Sequence, residues 1–122
     1  MTVFSVHVIH YVNFCDGVQP DYPVWWSTYL VDCKDVDEAV RIGRVRAKSV
    51  GSIITCDDRE ARLLFGGIRV IMEVFDNSKG NVQVTGCPEV ASFQLQVKDR
   101  EALDRLIDGS EVRAIIDDVS GE

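Results

Sequence analysis

The chain has 122 residues, of which 46% are hydrophobic and 27% are charged. This length fits one domain, and the composition excludes disordered, collagen-like and coiled-coil chains. Twenty acidic against thirteen basic residues give a net charge of −7, which repels phosphate backbones, so we expect no nucleic-acid partner. The apolar runs are too short to cross a bilayer and no signal-peptide pattern opens the chain, which predicts a cytoplasmic location and no membrane partner.

Two strands are predicted first. Residues 3–13 alternate along a strand, whose more apolar face holds Phe4, Val6, Val8, His10 and Val12. Residues 23–33 are rich in β-branched and aromatic side chains, which favours a second strand after a turn-rich loop. Trp25 and Trp26 are adjacent in it and therefore point to opposite faces, so one of them needs cover from a second layer, an interface or a pocket.

Two helices follow from capping signals. Asp35 and Glu38 form a capping-box pattern, which predicts a helix that ends near Gly51. Asp99 caps a second predicted helix, which Gly109 closes. The outer side of the first helix carries the basic residues Arg41, Arg44 and Lys48, which we interpret as a solvated face. Two apolar residues, Ile42 and Val45, also lie outside its core stripe, which indicates extra burial such as a dimer contact.

The middle of the chain predicts a hairpin. Residues 52–56 and 61–65 flank a polar break at 57–60, which is consistent with a β-hairpin around a type I turn. Gly66 and Gly67 then interrupt a long strand, which indicates a bulge.

The remaining elements are shorter. The long strand resumes over residues 68–75, and residues 76–81 form a turn. Further strands are predicted at 82–85 and 90–97, and a last short strand at 112–116.

The sequence therefore predicts a single α+β domain over residues 1–122, with a mainly antiparallel sheet of five to six strands, two helices packed on it and the order ββαβββαβ. Residues 30–40 and 95–103 share a strand-then-helix signature. It fits either two units of a ferredoxin-like core with an additional strand or the common chemistry of capped helices after strands, and we favour the second interpretation.

The order of motifs also resembles a bacterial domain-of-unknown-function family, family 4288. The segments that carry the resemblance are Phe4-Ser5-Val6, Pro23-Val24-Trp25, Leu30-Val31, Asp37-Glu38-Ala39 and Asp108-Gly109-Ser110-Glu111-Val112. The present chain has a longer region, residues 77–97, before the closing segment. The resemblance implies an antiparallel α+β fold and no particular activity.

Two histidines are candidates for a site. His7 and His10 are three residues apart on one strand and project to opposite faces, so they cannot chelate one ion together. His10 lies on the apolar face and needs a hydrogen-bonding partner there, as a structural histidine or as a ligand-binding or catalytic group.

Other signatures are lacking. The four cysteines form no Cys-x-x-Cys pair, which predicts buried free thiols rather than a zinc site. The segment that starts at Asp76 has Lys79 and Asn81 where a calcium loop has other residues, and Gly66-Gly67 lacks the spacing of a phosphate loop. We therefore predict neither a metal site nor a cofactor.

These observations favour a small cytoplasmic binding module that forms a homodimer and is not an enzyme. It would hold a small molecule or a protein segment in an aromatic-lined pocket or dimer interface formed by His10, Trp25, Trp26 and Tyr29. The alternative is an acidic protein-interaction protein, immunity-like or an adaptor, that neutralises a basic partner. A small enzyme that uses His and Cys is a third hypothesis, for which no catalytic residue is assigned.

Overall fold

The structure is a computed structural model that describes residues 1–50, 53–108 and 115–116. The predicted order ββαβββαβ is confirmed. The elements are β1 (Thr2–Phe14), β2 (Tyr22–Cys33), α1 (Val36–Lys48), β3 (Ile53–Cys56), β4 (Arg59–Asp76), β5 (Glu89–Val97), α2 (Arg100–Asp108) and β6 (Ile115–Ile116). Gly51, Gly109 and residues 112–114, on which helix ends and part of the last strand were predicted, lie outside the described residues.

The strands form one curled sheet in the order β3-β4-β1-β2-β5-β6, and each neighbouring pair is antiparallel. The fold is therefore α+β with an antiparallel sheet, as predicted. β5 and β6, which flank α2 in the chain, are direct antiparallel neighbours. This half of the sheet thus lacks the split β-α-β unit of a ferredoxin-like core.

Helix α1 covers one face of the sheet. The Asp35 side chain accepts a hydrogen bond from the Glu38 backbone N–H at 2.9 Å, which confirms the predicted cap. The helix contacts the sheet through its small residues, and a Cβ atom on Gly43 would lie only 2.7 Å from Cγ1 of Val6. Ile42 packs against this core, contrary to its predicted position outside it, whereas Val45 is 64% exposed.

Helix α2 covers part of the opposite face. The Asp99 carboxylate accepts a hydrogen bond from the Ala102 N–H at 2.8 Å, as predicted for a cap. Three α2 residues (Ala102, Leu103 and Leu106) pack with Ile9, Val24 and Leu95 of the sheet. The central strands are therefore buried on both faces at this end. Neither described helix is long and apolar enough to cross a bilayer.

Bulges in β4 accompany the curl of the sheet. The pairing of β1 with β4 shifts between Ile9 and His10, where Gly66 has no partner and Gly67 adopts a φ of 145°, which confirms the bulge predicted there. Two further shifts leave Arg69 and Val74 without a pairing residue. Because each bulge bends the strand and increases its twist, β4 wraps around the core.

The hairpin between β3 and β4 has a tighter turn than predicted. Cys56 pairs with Arg59, so the turn consists of Asp57 and Asp58 alone, with φ angles of 54° and 60°. Two positive φ angles are typical of a type I′ turn, whose twist matches that of the flanking strands, whereas the predicted type I turn would splay them.

Residues 82–85 do not form a strand, so this prediction is wrong. The Asn77 amide group donates to the Val82 carbonyl at 2.8 Å and accepts from the Val82 N–H at 3.2 Å. It also donates to Asp32 at 2.7 Å. Since the Asn77 side chain satisfies both backbone groups that a neighbouring strand would pair, this segment is held as a loop over the ends of β1 and β2.

The close approach of α1 to β1 gives a first prediction. Replacing Gly43 with Ala should lower the free energy of unfolding by about 1–3 kcal/mol, because the added methyl group overlaps Val6. Helix propensity alone would instead raise it by about 1 kcal/mol. Urea denaturation of Gly43→Ala, Val6→Ala and the double variant measures this effect. The double variant should lose less unfolding free energy than the two single variants lose in sum, because Val6→Ala makes room for the added methyl group. A Gly43→Ala protein that is more stable than the wild type would contradict the close contact.

Candidate ligand-binding site

His10 has a structural partner. Its side chain is 3% exposed, and its Nε2–H donates to the Ala47 carbonyl oxygen at 2.8 Å. Ala47 lies in the last turn of α1, and its carbonyl oxygen also accepts from the Val50 N–H at 3.4 Å. His10 therefore links the end of α1 to β1 through a hydrogen bond. This is the structural role that the sequence analysis considered for it.

The four residues predicted to form one site do not all lie together. Trp25 is the cross-strand neighbour of His10, so these two side chains share the α1 face. Tyr29 is on that face too, but it lies four residues, or about 13 Å, further along β2 and is 2% exposed under α1. Trp26 points to the other face and packs against the α2 core, as expected for adjacent tryptophans.

A cleft opens beside Trp25. Because the sheet curls, the β3–β4 hairpin faces the ends of β2 and β5 and encloses a volume of about 290 Å³. The cleft is lined by Pro23, Trp25, Ile54, Thr55, Cys56, Asp57, Gln94 and Gln96. Its volume is at the lower end of the range for small-molecule sites, so it suits a ligand of few atoms.

The lining combines one large aromatic surface with hydrogen-bonding groups. Gln94 is the cross-strand neighbour of Trp25, and Gln96 is the neighbour of Pro23, so both amides lie on the same side of the sheet as the indole. Thr55 and Asp57 face them from the hairpin. Among the described residues that line the cleft, the one charge is the negative charge of Asp57, which favours neutral or cationic ligands over anions.

His7 belongs to a separate polar cluster on the opposite face. The Trp26 indole Nε1–H donates to His7 Nδ1 at 3.1 Å, and the Thr28 hydroxyl lies 3.1 Å from the same nitrogen. An indole N–H can only donate, so Nδ1 carries a lone pair and neutral His7 holds its proton on Nε2. That nitrogen lies 3.2 Å from the Ser5 hydroxyl oxygen. Burial lowers the pKa of His7 below its usual value.

Sequence reasoning missed the cleft wall and undervalued His7. Gln94 and Gln96 carry no motif, and the approach of residues 54–57 depends on the curl of the sheet. The sequence also carried no signal that places His7 beside Trp26, because their shared face depends on the register of β1 with β2. Pairing of His7 with Thr28 then brings the indole within reach of the imidazole.

The four cysteines are free thiols, as predicted, but only Cys33 is buried; Cys56 and Cys87 are half-buried and Cys15 is exposed. Burial raises the pKa of Cys33 and of Cys87, which disfavours the thiolate needed by a nucleophile. In the part of the chain that the structure describes, no three His, Cys, Asp or Glu side chains are grouped to hold a metal ion.

Comparisons of the chain with protein-family models, with curated proteins and with solved structures found no match. The resemblance to family 4288 stays a prediction. Functional conclusions about this chain therefore depend on the geometry of its own residues.

The His7 cluster predicts a pH dependence of stability. Unfolded His7 titrates near its usual pKa of about 6.5, while the folded protein holds the residue neutral to lower pH. Below a pH of about 6.5 the unfolded chain therefore binds more protons than the folded protein, and the free energy of unfolding should decrease as the pH falls. Above that pH His7 is neutral in both states, so its contribution to the free energy of unfolding stays constant.

The matched variant is His7→Gln, which keeps an acceptor for Trp26 and does not titrate. Urea denaturation between pH 8 and pH 5 should show a smaller decrease for this variant than for the wild-type protein, with parallel curves above pH 7. Identical acid slopes in the two proteins would contradict the assignment of neutral His7.

Proposed function

We propose that this chain is a small cytoplasmic binding module that holds a neutral or cationic small molecule in the cleft beside Trp25, and that it is not an enzyme. The observation that carries the proposal is the juxtaposition of the Trp25 indole with Gln94 and Gln96 across from the β3–β4 hairpin. The four free cysteines are consistent with a reducing compartment.

The cleft has the composition of a recognition site. An aromatic ring gives a ligand a large contact area at small entropic cost, and it attracts cations through its π face. Amide and hydroxyl groups fix the orientation of a polar ligand by donating and accepting hydrogen bonds. The cleft thus combines affinity from Trp25 with specificity from Gln94, Gln96 and Thr55.

The same composition favours binding over catalysis. Glutamine and threonine side chains do not titrate near neutral pH, so they supply hydrogen bonds but no proton transfer. His10, the histidine nearest to Trp25 along the sheet, donates its Nε2–H to Ala47. Because the His10 side chain is hydrogen-bonded to the backbone and 3% exposed, we assign it a structural role rather than a catalytic one.

Charge narrows the ligand class. Asp57 lines the cleft, and the whole chain carries a net charge of −7. Both repel anions and raise the local concentration of cations. We therefore expect amines, quaternary ammonium compounds or uncharged polar metabolites to bind, and phosphorylated or carboxylated metabolites to bind weakly.

Tryptophan fluorescence tests the proposal directly. The variant Trp26→Phe retains Trp25 as the single tryptophan, since the chain has two. Titration with a panel of amines, quaternary ammonium compounds, amides and polyols should give a saturable shift of the Trp25 emission for at least one class. Gln94→Ala or Gln96→Ala should weaken that binding about two- to tenfold, through the loss of one hydrogen bond.

Two controls accompany the titration. Gln83→Ala removes an exposed glutamine outside the cleft and should leave the affinity unchanged. Trp25→Phe leaves Trp26 on the opposite face, so its emission should not respond. A flat Trp25 response to the whole panel, or equal responses of Trp25 and Trp26, would contradict a ligand site in the cleft.

A further inference from the structure

The cleft beside Trp25 combines one aromatic and one charged side chain. Asp57 contributes its carboxylate from the turn of the β3–β4 hairpin, on the wall that faces Trp25. Among the described residues that line the cleft, Trp25 is the one aromatic residue and Asp57 the one charged residue. A ligand in the cleft therefore meets an indole ring from the sheet and a negative charge from the hairpin.

The charge of Asp57 is not paired with the nearest basic residue of the hairpin. The Arg59 guanidinium donates to both carboxylate oxygens of Asp16, at 2.9 and 2.6 Å, and also to the Val18 carbonyl oxygen. The hydrogen bonds to Asp16 are the main reason why the pKa of Arg59 is raised, and Asp57 contributes a smaller electrostatic attraction. Arg59 is thus held by the loop that joins β1 to β2. The ion pairs among the described residues do not include Asp57.

The indole and the carboxylate attract the same kind of ligand. A cation is attracted by the negative face of an aromatic ring, and a carboxylate adds a Coulombic attraction. An uncharged ligand of the same shape gains neither electrostatic contribution. Trp25 and Asp57 together therefore favour a cationic ligand over a neutral one.

The remaining lining residues distinguish among cations. Thr55 and Gln96 carry a hydroxyl and an amide oxygen, which accept hydrogen bonds as the Asp57 carboxylate does. A primary ammonium group has three N–H donors and no acceptor, so it matches a set of acceptors. A quaternary ammonium group has no donor and is typically bound by a cage of several aromatic rings, whereas the described lining includes Trp25 alone. The cleft therefore fits an amine that retains N–H groups.

The volume of the cleft limits the size of this amine. A volume of about 290 Å³ corresponds to about ten water-sized groups of about 30 Å³ each. A free amine with about ten non-hydrogen atoms fills this space. A lysine side chain of another protein would fill about half of it and leave its backbone outside. The volume therefore favours a free amine over a lysine side chain.

We propose that the Trp25 cleft selects a small protonated amine that retains N–H donors, and that Asp57 is the residue that determines this selectivity. This selectivity rests on the proposed function, because it narrows the ligand class of the same cleft. The ammonium group would lie between Asp57 and the Trp25 indole, and Thr55 and Gln96 would accept its further N–H groups.

Fluorescence titration of Trp26→Phe, whose single tryptophan is Trp25, tests the selectivity with three probes that share one alkyl chain: hexylamine, hexyltrimethylammonium and hexanol. Hexylamine should bind at least about tenfold more tightly than hexanol, and more tightly than hexyltrimethylammonium. Adding Asp57→Asn should weaken hexylamine binding about three- to tenfold and change hexanol binding less than about twofold, because asparagine keeps an acceptor but removes the charge.

Asp58→Asn is the matched control. Asp58 is the other residue of the same turn, has a φ angle of 60° against 54° for Asp57, and lies outside the described set that lines the cleft. Asparagine adopts positive φ angles as aspartate does, so each variant keeps the turn and removes one charge. Asp58→Asn should change the hexylamine affinity less than about twofold. Urea denaturation checks that both variants are folded.

The results distinguish failure of the amine selectivity from failure of the proposed function. Hexanol or hexyltrimethylammonium binding as tightly as hexylamine would overturn the selectivity and leave a ligand site in the cleft, as would equal losses in Asp57→Asn and Asp58→Asn. A response of Trp25 to an amide or polyol but to none of the three probes would do the same. A flat response to every compound would overturn both. Tighter binding of an acetylated and amidated Gly-Lys-Gly peptide than of hexylamine would assign the cleft to lysine side chains and overturn the proposal of a free amine.

Discussion

Strand β1 must be covered on both faces, and the rest of the fold follows from that constraint. Val3, Val6, Val8, Ile9 and Val12 are fully buried, although they point to opposite sides of one strand. Each such side chain contributes roughly 1.5–3 kcal/mol when it leaves water. β1 is therefore placed between β2 and β4, with α1 over one face and α2 over the other.

The two histidines of β1 show how this constraint shapes the surfaces. His10 lies on the α1 face, where it is buried and hydrogen-bonded to the end of that helix. His7 lies on the other face beyond the reach of α2, where burial lowers its pKa and its ring contacts the Trp26 indole and the Thr28 hydroxyl. The unequal cover of the two faces thus separates a histidine fixed under α1 from one that lies beside exposed side chains.

Local signals predicted most of the fold, because alternation in β1 and β2 and the caps Asp35 and Asp99 depend on neighbouring residues alone. The failures have long-range causes. The strand predicted at 82–85 is replaced by side-chain bonds from Asn77, and the strand order depends on pairings between distant segments. Trp25 was assigned to a site from its type, but its amide neighbours depend on the pairing of β2 with β5, and the hairpin approaches it only through the curl of the sheet. His10 was selected as a polar residue in apolar surroundings and Tyr29 as an aromatic residue of the second strand, and core residues share both properties with ligand sites.

Native-state hydrogen exchange tests most directly the claim that β1, buried on both faces, organises the domain. The amide protons of Val6, Val8 and Ile9 should exchange only through global unfolding, with an opening free energy equal to that from denaturant unfolding. Those of Glu89–Phe93 in β5, where the side chains are exposed, should exchange through smaller openings. Exchange of the central β1 amides at a lower opening free energy than those of β5 would contradict this account.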